Sequence, residues 1–334
     1  MSSANGVPET RSLSGDDAWE TLSRTGRLRL VGDAFRRFRA ADGFSHARSM
    51  AFIGELVLVQ GVIVLVGLAS AIHRGGLSDL IVRTLKAAAP GPAGTVLTQA
   101  VNQAHRANTS HRYLALTIGL FGALISGTTL MGQMERGLNR LYGIERDRPT
   151  LLKYGRALVL AASVGLLVAA AFTAIAFGRQ IARSLGSDFA VRLWEGLRWP
   201  LAMLLVAIAI GVMFRVCPRR AQPRWPWLAF GATISVFLWV VVTVLLALFF
   251  SASATFGQTY GPLAGIVALI LWALASSIAV LFGGAVAAQL EAVRAGASSP
   301  RRIPSKQVSG ARSTRVDVDI RPSSAPTQET QGRS

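Results

Sequence analysis

Six long apolar runs constrain the fold of this 334-residue chain more than any other feature. A helix rises about 1.5 Å per residue, so about 20 apolar residues cross a hydrocarbon core roughly 30 Å thick. The sequence therefore predicts an all-α, polytopic membrane protein with six transmembrane helices. The runs cover residues 50–72, 113–131, 157–177, 200–216, 228–251 and 262–289.

Composition agrees with a chain whose solvent is partly lipid. Charged residues make up 16% and hydrophobic residues 51%, whereas an ordinary soluble domain has about 25% charged residues. The formal net charge is +18, which makes nucleic acid or anionic lipid the first partners to consider. Cys217 is the only cysteine, so neither an intrachain disulfide nor a Cys-rich zinc site can form.

The distribution of Lys and Arg predicts the orientation of the spans. The two ends and the loops on their side of the membrane hold 26 of the 35 cations, and the three opposite loops hold 9. Because cytoplasmic loops carry the excess of positive charge, we expect cytoplasmic N- and C-termini. This topology signal accounts for most of the positive charge, so we expect no nucleic-acid partner.

The chain divides into three regions by composition. Residues 1–30 and 293–334 are rich in small and polar residues and predict a disordered basic N-terminus and a disordered cytoplasmic tail, while residues 31–292 form the six-helix membrane domain. Val31, Ala34, Phe35 and Phe38 lie on one helical face ahead of the first span. That face fits either a helix on the lipid surface or a packed cytoplasmic cap.

The loop between the first two spans also has helical patterning. Leu77, Leu80, Ile81 and Leu85 predict one short helix, and the apolar residues that begin at Val96 predict a second. The Pro90, Gly91, Pro92 turn separates them. We expect this loop to fold against the outer membrane surface.

Glu55 is the leading candidate for a functional residue inside the membrane. An ionisable group at that depth costs several kcal/mol unless it is paired, neutral or facing water. Gln60 follows five residues later, and Arg215 lies at the end of the fourth span. We expect one of two roles for Glu55. It is either a proton or cargo site in a polar seam between helices, or a protonated group that makes one structural hydrogen bond. Possible polar neighbours are Ser126, Thr128, Thr129, Thr243, Ser276 and Ser277.

Small residues recur along the last span at the spacing of helix–helix contacts. They predict one closely packing face, with a moving helix interface as the alternative. The residues are Gly261, Gly265, Ala275, Ala279, Gly283 and Ala287.

Motifs of soluble enzymes are missing from the sequence. The chain has four histidines but no HExxH pattern, no GxSxG elbow and no phosphate-binding or dinucleotide fingerprint. We therefore expect no catalytic residues, no metal, no cofactor and no ATP-driven pumping by this chain alone.

Three segments carry a resemblance to a known family. They are GQMERGLNRLYGIERDRPTLLKYGRAL at 132–158, FRVCPRRAQPRWPWLAFGA at 214–232 and YGPLAGIVALILWALASSIAVLFGGAVAAQLE at 260–291. In this order they resemble the YihY/BrkB family of bacterial inner-membrane proteins. The resemblance implies a multi-pass inner-membrane protein of unsettled activity, to which the older label ribonuclease BN was attached.

The loop at 132–158 carries six cations beside two membrane helices. They suit the binding of anionic lipid headgroups, although the topology signal alone also explains them. They are Arg136, Arg140, Arg146, Arg148, Lys153 and Arg156.

Three functions follow from these patterns. The favoured one is transport or translocation of an amphiphilic or anionic envelope compound, and the alternative is a non-transporting scaffold. A ribonuclease is disfavoured because the loop at 132–158 offers only Glu135, Glu145 and Asp147 as acidic ligands among its six cations. Expected partners are membrane lipids, with a homo-oligomer as a further option.

Overall fold

A computed structural model describes residues 4–10, 13, 16–18, 20–21, 26–71, 77–89, 91–184, 188–252, 262–297 and 299–300. Most of these residues belong to eight helices. They are α1 (Arg27–Ala40), α2 (Gly43–Ala71), α3 (Leu77–Ala88), α4 (Pro92–Leu141), α5 (Thr150–Ser184), α6 (Asp188–Val216), α7 (Trp225–Ala252) and α8 (Pro262–Arg294).

Six of the eight helices are long and apolar enough to cross a membrane, which confirms the predicted all-α, six-span fold. The spans are Gly43–Leu65, Leu116–Leu141, Thr150–Ala176, Val191–Val216, Trp225–Ala252 and Leu263–Arg294. Large apolar side chains such as Phe121, Leu166 and Phe237 stay exposed on these helices. Lipid is the solvent that suits such a surface.

All six spanning helices extend beyond the predicted apolar runs, and α4 and α6 do so by ten residues or more. Helix α4 continues to Leu141 because Met134, Leu138 and Leu141 keep an apolar face buried while polar residues intervene. Helix α6 begins at Asp188, so Pro200 lies inside this helix and not in its first turn. The helices therefore extend past the predicted ends of the second and fourth spans.

Helix α8 lies at the centre of the packing, in contact with α1, α2, α4 and α7. Helix α4 packs along α2, and α5, α6 and α7 follow one another around the bundle. One core contains Phe38, Leu138, Phe214, Trp227 and Leu290; we call this part of the molecule the basic end. A second core, the far end, lies at the opposite ends of the helices around α3, and includes Leu85, Leu97, Phe250 and Leu269.

The far end contains the loop between the first two spans. Helix α3 forms as predicted, but the second short helix is continuous with the span and becomes the first part of α4. Gly91 has a φ of 46°, which L side chains rarely adopt, and permits the turn between them. Pro90 lies outside the described residues.

Helix α1 combines the two arrangements that its apolar face allowed. Ala34 and Phe38 are fully buried, and the Phe38 ring contacts Phe44 and Phe282 at centroid distances of 5.0 and 6.1 Å. Val31 and Phe35 on the same face remain about half exposed. Part of the face is therefore a packed cap, and the rest remains available to lipid.

The N-terminal residues differ from the prediction of disorder over 1–30. The amide of Ala4 donates to the Arg140 carbonyl at 3.3 Å, and the amide of Val7 donates to the Tyr142 carbonyl at 3.2 Å. We call residues 4–10 the strap. The polar composition of the strap gave no indication of the backbone hydrogen bonds that hold it in place. The C-terminal region begins with the end of α8, and residues 301–334 lie outside the described part of the chain.

Candidate functional site

A cavity of about 290 Å³ lies in the bundle between the two cores. All six spanning helices contribute to its wall. We call it the central cavity, and 13 of its 16 lining residues are apolar. The lining consists of Met50, Gly54, Glu55, Leu58, Leu130, Met131, Met134, Val164, Met213, Trp239, Leu269, Trp272, Ala273, Ser276, Ser277 and Val280.

Glu55 lines the central cavity near the middle of the first span. Its carboxyl group makes no hydrogen bond and no ion pair with any residue that the structure describes. Ser276 on α8 also lines the cavity, and its buried hydroxyl oxygen has no partner within the same described ranges. Two polar groups with unused hydrogen-bonding capacity therefore share one apolar chamber.

Most of the other predicted members of a polar seam do not reach this cavity. Gln60 lies beside Gly122, outside the cavity lining, and its buried Oε1 lacks a partner among the described residues. Thr128 and Thr129 donate to carbonyls of their own helix at 2.6 and 2.9 Å. Ser277 is the remaining polar residue of the lining.

Aromatic and sulfur-containing side chains form much of the wall. The Trp239 and Trp272 rings lie 6.3 Å apart, and the Trp272 indole N–H donates to the Thr243 hydroxyl at 3.1 Å. Four methionines line the same cavity. Methionine is flexible and polarisable, so such a wall can adapt to apolar groups of different shape.

At the basic end, Asp147 collects several of the predicted lipid-binding cations. Lys153 Nζ donates to its carboxylate at 2.9 Å, Asn139 Nδ2 at 3.0 Å and Arg136 Nε at 3.4 Å. Burial acts to raise the pKa of Asp147, but the hydrogen bonds from Lys153 and Asn139 outweigh it and hold the pKa below its ordinary value. Lys153 is buried in this cluster and does not face lipid.

Arg148 is also committed to internal contacts. It pairs with buried Glu135 at 3.1 Å and donates to the carbonyls of Cys217 and Pro218 at 2.7 and 2.8 Å. Arg140 donates to the carbonyls of Ile144 and Glu145. These contacts tie loop 142–149 to loop 217–224, so Arg148 and Arg140 have a structural use that the charge pattern did not reveal.

Three of the predicted cations are exposed and have no ion pair with any described residue. Arg146 and Arg156 are exposed, and neither makes an ion pair or a side-chain hydrogen bond within the described ranges. Arg215 is exposed as well, and its guanidinium lies over the Trp225 ring, 5.2 Å from the centroid. Arg215 does not line the central cavity.

A second buried network at the basic end was not predicted. Arg220 pairs with Glu291 of α8, and the two side chains are 3% and 0% exposed. Thr10 of the strap donates to the same Glu291 oxygen at 2.6 Å, and the Arg220 guanidinium lies 4.6 Å from the centre of the Tyr142 ring. Burial raises the pKa of Tyr142, so this residue is uncharged.

Arg37 extends this network beneath α1. It donates to Gln289 at 2.7 Å and to the carbonyls of Asn5 and Leu141 at 2.9 and 3.0 Å. Burial lowers the pKa of Arg37 to about 10. The available sequence signal was the pair Gln289 and Glu291 at the end of an apolar helix, where polar residues are costly unless they are bonded.

The small residues of α8 lie at two helix crossings. A Cβ at Gly283 would overlap the Ser235 hydroxyl of α7, and one at Gly231 would meet the Ala287 Cβ at 2.8 Å. A Cβ at Gly265 would collide with Val96 of α4. Ala279 is buried and Ala275 is half-buried, whereas Gly261 lies outside the described residues. The backbones of α7 and α8 therefore approach as closely as small residues allow.

Comparison with known proteins identifies the family. The family model described as virulence factor BrkB matches residues 34–307, which is most of the chain. The chain belongs to the BrkB family. The match contains all six spans and every residue that lines the central cavity of this BrkB-family protein, whereas the strap lies outside it.

Relatives of this BrkB-family protein are distant. The ribonuclease-like protein YfkH of Bacillus subtilis strain 168 is 25% identical over 269 residues, which cover 79% of this chain and 95% of YfkH. The membrane protein RC1_0578 of Rhodospirillum centenum is 27% identical over 268 residues, or 80% of this chain and 58% of the relative. The membrane protein IL2447 of Idiomarina loihiensis is 25% identical over 178 residues, covering 52% and 61%.

The chain thus spans nearly all of YfkH but about three fifths of the two longer relatives. No solved structure matches it. The relatives and the six spans make it a multi-pass bacterial membrane protein.

Proposed function

We propose that this BrkB-family protein moves an amphiphilic envelope compound across the membrane, with the central cavity as its binding site. The observation that carries the proposal is the cavity of about 290 Å³ in which Glu55, Ser276 and Ser277 are the polar residues of a mostly apolar wall. Ligand sites typically combine such an apolar lining with a few polar groups that fix orientation.

The chemistry of the wall defines the cargo. Methionine and tryptophan side chains suit an apolar chain or ring, and Glu55 supplies either a proton or a hydrogen bond to a polar group. A negative group on the cargo has no cation to meet among the lining residues. It would instead contact Arg146, Arg156 or Arg215 at the basic end, which we place on the cytoplasmic side.

Flux of a labelled amphiphile tests this proposal. The protein is reconstituted into vesicles that contain fluorescent phosphatidylglycerol or phosphatidylethanolamine, and exchange between leaflets is followed by reduction of the dye from outside. We expect Glu55→Gln to slow exchange at least tenfold, because the variant keeps the shape of the side chain and loses its proton. A pH gradient should change the rate of the parent protein and not that of the variant.

Two further variants keep the test decisive. Glu195→Gln removes an exposed carboxylate of α6 outside the central cavity and should exchange lipid like the parent. Ala273→Phe fills the cavity while the Glu55 carboxyl group is retained, and it should also abolish exchange. Equal rates in the parent protein, Glu55→Gln, Ala273→Phe and protein-free vesicles would refute the proposal.

The scaffold function is the second candidate, and the ion-paired basic end favours it. Hydrogen bonds join the strap to loop 142–149 and to loop 217–224, and join these two loops to each other, which would make this end a firm platform for another protein. A scaffold predicts no exchange above protein-free vesicles. The name of YfkH makes RNA cleavage a necessary third assay, and we expect purified protein free of contaminating nucleases to leave RNA intact.

A further inference from the structure

A second concave surface lies on the outside of the bundle, between α5 and α6 at the basic end. It encloses about 700 Å³ and shares no lining residue with the central cavity. Its wall is formed mainly by Leu152, Gly155, Val159, Val212 and Val216, with Arg156 as its one charged residue. We call it the α5–α6 groove.

We infer that the α5–α6 groove binds one anionic phospholipid, with an acyl chain along the groove and the headgroup phosphate on Arg156. The lining of α5 runs from Leu151 to Ser163, which is about 18 Å along a helix axis at 1.5 Å per residue. One leaflet of a bilayer contributes about 15 Å of hydrocarbon, half of the roughly 30 Å core. The groove therefore has the length of one acyl chain.

The charge of Arg156 selects the headgroup. Arg148 and Lys153 are close to Arg156 in sequence, and each forms an ion pair with a carboxylate, Glu135 and Asp147 respectively. Arg156 itself is exposed and makes no ion pair or side-chain hydrogen bond in the described part of the chain. Arg156 lies six residues, or about 9 Å, from the start of α5. A long arginine at that depth extends its guanidinium toward the headgroups.

The position of the groove gives the phosphate a second cation nearby. Arg215 immediately precedes the lining residue Val216 and follows Val212 by three positions on α6. Its guanidinium is held over the Trp225 ring. Arginine and tryptophan together are typical of the level at which headgroups meet hydrocarbon. The structure thus combines a chain-length groove with Arg156 in its wall and Arg215 beside its last α6 residue, at the level where the headgroup would lie.

Lipid binding to the purified full-length protein tests the inference. Phosphatidylglycerol and phosphatidylcholine with identical acyl chains are titrated into detergent micelles, and bound lipid is counted by native mass spectrometry. We expect phosphatidylglycerol to bind more tightly. Arg156→Gln should weaken that binding about fivefold, which corresponds to roughly 1 kcal/mol for one cation at the headgroup level. Arg146→Gln also removes one exposed cation, but outside the groove, and should leave the affinity unchanged.

A matched pair of glycine variants tests the acyl-chain half of the site. A Cβ at Gly155 or at Gly165 meets nothing within 4 Å, so both positions of α5 accept a larger side chain. Gly155→Leu fills the groove and should weaken phosphatidylglycerol binding by more than tenfold, whereas Gly165→Leu lies outside the lining and should not.

Three results would overturn the inference. They are equal affinity for the two lipids, equal loss in Arg156→Gln and Arg146→Gln, and binding of glycerophosphoglycerol as tight as that of the intact lipid. The last result would mean that a free phosphate ester is enough and that the groove holds no chain. Lipid exchange through the central cavity is a separate measurement, so failure of one proposal leaves the other standing.

Discussion

The buried pair Arg220–Glu291 offers a quantitative test of how the basic end is held together. Both side chains are excluded from solvent, at 3% and 0% exposure. Glu291→Gln leaves the Arg220 guanidinium without its counter-charge, and removal of one partner of a buried pair costs about 3–5 kcal/mol. Arg220 keeps the carbonyls of Val7 and Pro8 and the Tyr142 ring as partners. We therefore expect about 3 kcal/mol, the lower limit of that range.

The reverse change should cost a similar amount for a different reason. Arg220→Met leaves the Glu291 carboxylate buried with Thr10 as its remaining described hydrogen-bond partner and without a counter-charge, so the carboxyl group must take up a proton or leave its site. The double variant carries neither charge and should cost less than the sum of the two. We expect a coupling free energy of about 2–3 kcal/mol.

The assay is a double-mutant cycle in mixed micelles. The free energy of unfolding is measured for the parent, both single variants and the double variant by titration with SDS, followed by tryptophan fluorescence. The exposed pair Arg36–Asp33 is the matched control, because the Arg36 side chain is 75% exposed and the same cycle should give below about 0.5 kcal/mol. Additive costs for Arg220 and Glu291, within about 0.5 kcal/mol, would refute the reasoning.

Three shorter predictions concern other parts of the molecule. Gly283→Ala should destabilise the protein by about 1–3 kcal/mol because its Cβ overlaps α7, whereas Gly155→Ala meets open space and should be neutral or slightly stabilising in the same unfolding assay. The pKa of Asp147 is lower in the folded than in the unfolded chain, so its contribution to stability is complete above the unfolded pKa and is lost as the pH falls through the folded one; Asp147→Asn should flatten this acid limb of the stability profile. Burial raises the pKa of the Cys217 thiol, and a maleimide should label it only after unfolding; rapid labelling of folded protein would contradict its burial.

The six spans were predictable because a helix that crosses the membrane must be apolar along the whole length that contacts lipid. A run of about 20 apolar residues needs no knowledge of its neighbours to be assigned. The ends were less predictable, since a helix can leave the membrane and continue wherever one face stays buried. Helix α4 does so as far as Leu141, where the sequence between Gln133 and Arg140 is strongly polar.

The sequence predicted the polar residues Glu55, Ser276 and Ser277 of the candidate site as candidates, but not the apolar wall around them. Glu55 can be identified from the sequence because a carboxyl group in hydrocarbon is energetically unfavourable, so such a residue usually has a function or a structural partner. Its neighbours depend on the rotation of five other helices, which the sequence does not give. Of the possible polar neighbours, Ser276 and Ser277 line the same cavity as Glu55, whereas Gln60, Thr128 and Thr129 do not, and methionine and tryptophan form much of the wall.

The strap shows a different limit of sequence reasoning. Its residues have little hydrophobicity, and composition of that kind ordinarily indicates disorder. It is held by backbone hydrogen bonds to Arg140 and Tyr142 and by its links to Glu291 and Arg37, partners more than 30 residues away in the chain. Such partners become visible only when the helices that carry them are brought together.

The cations of the loop at 132–158 show that a count of positive charges overestimates the affinity of a loop for acidic lipid. Six positive charges on one side of the membrane would attract acidic headgroups if all of them faced outward, at about 1 kcal/mol each. Lys153 and Arg148 are neutralised internally, and Arg136 is shared with Asp147. All six cations contribute to the topology signal, because the orientation of the spans is determined before these ion pairs form. Arg140 donates to backbone carbonyls. Arg146 and Arg156 are exposed and make neither an ion pair nor a side-chain hydrogen bond in the described part of the chain, and Arg156 is the one beside a groove.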